Sequence, residues 1–280
     1  MGRLGGLYVV AAAALWGTTG VAIAFSKASG LTYLQVSHLM ILVSSCFLTL
    51  TLRRGIRRFK PLLVAYGALV VTSFRLLYAA SISLNGVGLT SSLIYMAPLI
   101  VTFINSARYR ALPDVWDVVA SSLVFLGAFV ATNPALSLTS AAGFAVGFLL
   151  ALTYSVMLLI PGALYARGYS RDEVVIQPTI SAAVVLTVIV MLLDGFAVST
   201  DSMPYVLYGG VACMSVAVIL FYEGLKHVSP VHAGLITTLE PVVSLILSRI
   251  LLNEVLHPIQ YLGAGVIVAV ATMTAVKGSS

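Results

Sequence analysis

The stretch LITTLEPVVSLI, residues 235–246, repeats the pattern of LIYMAPLIVTFI, residues 93–104. Set on their prolines, Pro98 lies opposite Pro241 at an offset of 143, while the leading Leu-Ile and the closing Ile of each stretch match at 142. A second echo lies upstream, where ALWGT to ASG-LT over 14–32 is answered by LTYS to ARG-YS over 152–170. That pairing sets Gly30 opposite Gly168 and Trp16 opposite Tyr154. The chain reads as a duplication with halves 1–135 and 136–280, and the number of elements in each half decides the fold.

The medium those elements meet follows from composition. Of 280 residues, 60% are hydrophobic and 9% charged, with a mean hydropathy of +1.07, whereas a soluble domain carries about 25% charged residues. Such a chain has lipid as its main solvent, where the backbone must satisfy itself in helices or a closed barrel. Long unbroken apolar runs, rather than short alternating strands, select helices. At about 20 residues per crossing, ten spans fit, near 7–26, 33–52, 61–80, 87–107, 115–133, 141–161, 174–193, 204–223, 231–251 and 258–276. The first run resembles a leader in charge and hydropathy, but its length and the spans that follow read as an uncleaved first crossing.

Five spans per half is an odd number, so the second half enters the membrane upside down. The fold class is thus an all-α integral membrane protein of ten helices in a five-plus-five inverted repeat, the build in which substrate sites lie at the midplane between halves. The loops agree: RRGIRRFK (53–60) follows the second span, and the acidic DGFAVSTD (194–201) follows its mate, the seventh. With the N-terminus on one side, twelve cations from Arg3 to Lys277 share that side, Lys27 and Arg249 face the other, and Arg75 lies within a span. The cation bias predicts cytoplasmic N- and C-termini in a cell (inner or plasma) membrane. The +6 net charge sits in short loops without an aromatic-interleaved face, so the partner it implies is the lipid bilayer and not nucleic acid.

Glu240 beside Pro241 then needs a reason. It lies about 15 Å into the ninth span at 1.5 Å per residue, near the bilayer centre, where a charge requires a partner or a proton. Arg75 lies at similar depth in the third span. Intramembrane ions are functional by default: Arg75 suits a substrate carboxylate through its planar fork, and Glu240 an ammonium group or an exchanged proton. The alternatives are a permanent Arg75–Glu240 pair, or Glu240 bonded to Thr237 or Thr238. Pro241 leaves the Thr237 carbonyl without its donor and Pro98 does the same to Ile94, so both mark helix bends.

Trp16, Tyr78, Tyr95 and Tyr154 fall within spans and suit an aromatic wall for a substrate, or ordinary packing. His38 is a candidate for proton coupling because its charge changes near neutral pH, or a packing histidine. The ridge GFAVG (143–147), continuing to Ala151, reads first as close packing inside the bundle and second as a homodimer contact. Cys46 and Cys213, both in apolar runs, read as small buried hydrophobes.

With these residues in place, the chain resembles the EamA-type branch of the drug/metabolite transporter superfamily. The resemblance is carried by GLKHVSPVHAGLITTLEPVVSLILSRILLNEVLHPIQYLGAGVIVAV at the C-terminal end and by Trp16–Gly17 in the first helix. This chain departs from the family pattern at His38, where the second helix often carries Arg, and at Ala111, where Glu often follows the fourth helix. The resemblance implies a ten-helix secondary carrier for a small-molecule substrate, frequently an exporter of amino acids or related compounds.

Other classes fare less well. The sequence has no HExxH, no phosphate-cradling loop and no paired cysteines at metal spacing, so it reads as no enzyme, with no cofactor and no metal. A channel or facilitator also uses midplane charges, and the same scaffold with other side chains suits nucleotide sugars or lipophilic cations. The expectation is a gradient-driven carrier working by alternating access, with an amino acid as substrate and export as direction.

Overall fold

The computed structural model describes residues 2–132, 140–251 and 255–277. The boundary expected at 135/136 and parts of the TNPALS and NEVLHP loops lie outside the described residues. Among those described, ten helices are long and apolar enough to cross a membrane: α1 Leu4–Ala28, α2 Tyr33–Thr51, α3 Pro61–Gly86, α4 Leu89–Tyr109, α5 Val115–Thr132, α6 Ala141–Ala166, α7 Arg171–Leu193, α8 Met203–Gly224, α9 Pro230–Leu251 and α10 Pro258–Ala275. Their outer faces carry exposed Leu69, Leu126, Val184 and Leu192, the side chains that a hydrocarbon solvent accepts.

The duplication extends to hydrogen bonds. Gly30 and Gly168 turn the chain at φ +85° and +82°, a left-handed conformation that glycine adopts without strain. Two residues on, α2 and α7 start with matching capping boxes. Thr32 Oγ1 accepts from Gln35 N (3.1 Å) while Gln35 Oε1 accepts from Thr32 N (3.0 Å); Ser170 Oγ accepts from Glu173 N (3.3 Å) while Glu173 Oε2 accepts from Ser170 N (2.9 Å).

The third helix of each half has a proline in its first turn, Pro61 and Pro204, and widens into a π-helical segment, Gly67–Val71 in α3 and Gly209–Val216 in α8. Wider turns loosen the carbonyl ladder, and a hydroxyl steadies each: Thr72 Oγ1 donates to Gly67 O (3.1 Å) and Ser215 Oγ to Gly210 O (2.8 Å). Both segments sit where the halves touch. Gly67 lies against the backbone of Pro178 in α7, and a Cβ at Gly210 would stand 2.8 Å from the Met40 carbonyl oxygen in α2. The third helix of each half thus packs on the second helix of the other.

The fourth helices break at their prolines. Residues 95–96 interrupt α4 before Pro98, and Thr238 interrupts α9 before Pro241, so the expected bends are breaks in the α-ladder. The small-residue ridge packs within the chain: a Cβ at Gly147 would run into Leu93 Cδ1, and the Gly143 carbonyl accepts from Asn85 Nδ2 at 2.9 Å. One expectation fails. Cys213 is buried, but Cys46 is exposed, because it lies on the outward side of α2 while Ser44 and Leu48 face the core; an apolar run alone does not reveal which of its sides meets lipid.

Candidate functional site

The elements that the repeat brings together enclose a cavity of about 130 Å³ between the halves. An engineered apolar cavity of roughly 150 Å³ holds benzene, so the space suits a compact molecule. Arg75, Glu240, Trp16, Tyr78, Tyr95 and Tyr154, singled out separately in the sequence, all line it. Two of them, Tyr95 and Glu240, stand at the breaks in α4 and α9.

The break in α9 is built across the two halves. Glu240 Oε2 accepts a 2.8 Å hydrogen bond from the Tyr95 hydroxyl of α4. The same hydroxyl lies 3.4 Å from the Thr237 carbonyl, the acceptor that Pro241 deprives of its helical donor. Tyr154 donates to Thr237 Oγ1 at 3.3 Å. Thr237 and Thr238 donate to the carbonyls of Gly234 (2.8 Å) and Leu235 (2.5 Å), so neither serves Glu240 as the sequence reading allowed; helical hydroxyls reach their own backbone first.

Arg75 does not pair with Glu240. Among the described residues the ion pairs lie elsewhere, and the buried Arg75 Nε has no hydrogen-bond partner. Its guanidinium Cζ stands 5.6 Å from the Phe74 ring centroid, a favourable setting for a cation but no replacement for an acceptor. The cavity therefore holds a fork-shaped donor and a carboxylate that do not satisfy each other.

The aromatic wall has defined orientations. Trp16 donates its indole N–H to Cys213 O in the π segment of α8 (2.9 Å) and packs on Phe221, centroids 5.1 Å apart. Its polar edge is thus engaged. Gly17 explains the neighbouring residue of the pair: a Cβ there would lie 2.8 Å from the Glu240 carbonyl oxygen and 2.5 Å from Val243 Cβ, so only glycine lets α1 rest on the broken part of α9. Phe74 lies between Tyr78 and Tyr154, at centroid distances of 6.0 and 5.9 Å.

His38 and the prolines stand outside the lining. His38 Nε2 bonds to Thr187 Oγ1 (2.8 Å), and its ring meets the edge of Phe196 between α2 and α7. Pro98 backs the site instead, facing Gly234 of α9. Sequence reading missed Tyr33, Phe74, Phe221 and Tyr222, all of which line the cavity. A signal existed for one: at the proline offset of 143, Phe221 is the mate of Tyr78.

The cavity has unequal neighbours. Toward the loop after α1 it shares Tyr33 and Ile82 with a vestibule of about 570 Å³ that includes Lys27 and Ser83. Toward the arginine-rich face it adjoins a pocket of about 40 Å³, which shares Arg75 and Tyr222 and reaches Thr179 in α7.

The sequence profile of the EamA-like transporter family matches residues 3–133 and again residues 141–276. The chain belongs to the EamA-like transporter family. This EamA-like protein is accordingly a multi-pass membrane transporter of small solutes. A solved crystal structure superposes with a TM-score of 0.83 over 99% of this chain and 99% of that one, at 15% sequence identity, a likeness of fold. No curated protein sequence matches the chain.

Proposed function

We propose that this EamA-like protein is a secondary carrier for an amino acid or a closely related zwitterion, exporting it from the cell by alternating access. The observation that carries this reading is the unpaired coexistence of Arg75 and Glu240 in one compact cavity. Arg75 receives the substrate carboxylate in a bidentate grip. Glu240, oriented by Tyr95, receives the ammonium group, and in the empty carrier the same carboxylate takes up a proton, which couples export to proton return. Trp16, Tyr78 and Tyr154 bound the apolar side chain. The cation-rich loops and both termini face the cytoplasm of the cell membrane.

The test is counterflow in proteoliposomes. Labelled amino acids should accumulate against internal unlabelled substrate in wild type, saturably, and fail to do so in Arg75→Ala and Glu240→Gln proteins that retain wild-type detergent stability. Accumulation of an organic cation that needs Glu240 but not Arg75 would replace the amino-acid reading with a cation carrier. Flux without saturation or counterflow would mark a channel.

A further inference from the structure

The inverted repeat makes an internal comparison available, because whatever closes one end of the site has a mate at the other end. On the arginine-rich face the closure is fastened at three points. The Tyr66 hydroxyl of α3 and the Tyr222 hydroxyl of α8 are 3.1 Å apart, both nearly buried. Tyr165 of α6 donates to the Tyr222 carbonyl at 3.1 Å. Arg171 at the start of α7 holds Glu223 at the end of α8, Nη1 to Oε2 3.1 Å. Tyr222 also lines the transport cavity, so the closure is part of its wall.

The mates follow from the offsets already fixed. Second helices match at 138, by the paired glycines and capping boxes; third helices match at 143, by Pro61 and Pro204 and by the Thr72–Gly67 and Ser215–Gly210 bonds. Tyr66 therefore corresponds to Gly209, Tyr222 to Ala79 and Glu223 to Ala80; Tyr165 and Arg171 correspond to Lys27 and Tyr33. At the far end the hydroxyl pair and the ion pair have no counterpart, since their mates are Gly209 with Ala79 and Tyr33 with Ala80. There Lys27 rests on the Tyr33 ring, 3.6 Å from its centroid, and the vestibule adjoins the cavity.

We propose that Tyr66, Tyr222 and Glu223 are the fasteners of the site on the arginine-rich face, and that the lack of counterparts at Gly209, Ala79 and Ala80 biases the substrate-free carrier toward the state open at the Lys27 face. The repeat supplies two equivalent arrangements of the scaffold, and the side chains make them unequal in energy. This inference concerns the resting state of the site proposed above. It does not depend on the substrate being an amino acid.

The experiment reads accessibility without substrate. In a cysteine-free background, Ser83→Cys reports the vestibule and Thr179→Cys the small pocket on the other side, each scored by its rate of reaction with a membrane-impermeant maleimide in oriented membranes. The parent should label quickly at 83 and slowly at 179. Tyr66→Phe and Glu223→Gln together should raise labelling at 179 by about two- to tenfold or more, the range set by loss of a net hydrogen bond and a partly exposed ion pair, and lower it at 83 only by the population the dominant state gives up. Tyr66→Phe and Tyr222→Phe alone should each give the smaller shift, and these variants keep the ring packing. Unchanged labelling at both positions in folded double mutants, or fast labelling at 179 in the parent, would overturn the proposal. Failed amino-acid counterflow with the expected labelling shift would leave this inference standing and remove the substrate reading alone.

Discussion

At the scale of the residue, the site is defined by polar groups that do not satisfy one another. Arg75 Nε is buried without an acceptor, and Glu240 has a tyrosine hydroxyl as partner rather than a cation. A bound carboxylate would supply Arg75 with charge-assisted hydrogen bonds, each contributing about 1.5–3 kcal/mol. Arg75→Ala is expected to weaken binding of an amino acid about 10- to 100-fold, measured by titration in detergent. Tyr95→Phe removes the support of Glu240 and of the Thr237 carbonyl together, and is expected to lower affinity about fivefold to tenfold while leaving the fold intact. Arg75 and Glu240 were legible in the sequence because charges stand out against an apolar run. Their relation was not: depth along a helix is readable from residue count, whereas the facing of two helices is set by breaks and packing. Tyr95 and Tyr222 were equally visible as letters, but nothing local separates a tyrosine that holds a carboxylate from one that fills space.

At the scale of the element, breaks and π turns position the site, and glycines permit them. Gly67 touches the backbone of Pro178, which cannot move aside as a side chain can. Gly67→Val is therefore expected to cost about 1–3 kcal/mol through overpacking, seen as a clear loss of melting temperature in detergent. Gly30→Ala has open space around its Cβ but a φ of +85°, and should cost about 1–2 kcal/mol through backbone strain alone. Gly162, inside α6 with nothing within 4 Å of its would-be Cβ, is the control: Gly162→Ala should be neutral or slightly stabilising. The prolines announced the breaks in α4 and α9 from sequence. The π segments gave no such announcement, since Gly67-Ala68-Leu69 reads as ordinary apolar helix until its partner across the interface is known.

At the scale of the whole molecule, the odd span count and the internal echo sufficed for the ten-helix inverted repeat, because topology in lipid leaves few alternatives. The cation bias predicts the sidedness, and the expectation is specific. A cysteine placed ahead of Arg3 should resist an external impermeant maleimide in intact cells, and Lys27→Cys should react with it; the reverse pattern would invert the assignment. The offsets of 138 and 143 were legible in the sequence, but which helices follow which offset was not, until the matched caps and π-segment bonds assigned the second helices to 138 and the third to 143. The loops between second and third helices differ in length, and a single offset would have paired Tyr66 with the wrong residue.

If Arg75 and Glu240 hold the two ends of one zwitterion, competition by matched analogues will reveal both grips. Purified wild type should bind a labelled amino acid, with neither its decarboxylated amine nor its deaminated acid competing well. In Arg75→Ala the residual binding should no longer distinguish the amino acid from the amine, and in Glu240→Gln it should no longer distinguish the amino acid from the deaminated acid. Equal discrimination in wild type and in both variants would contradict the account, because the two charged ends would then be recognised elsewhere.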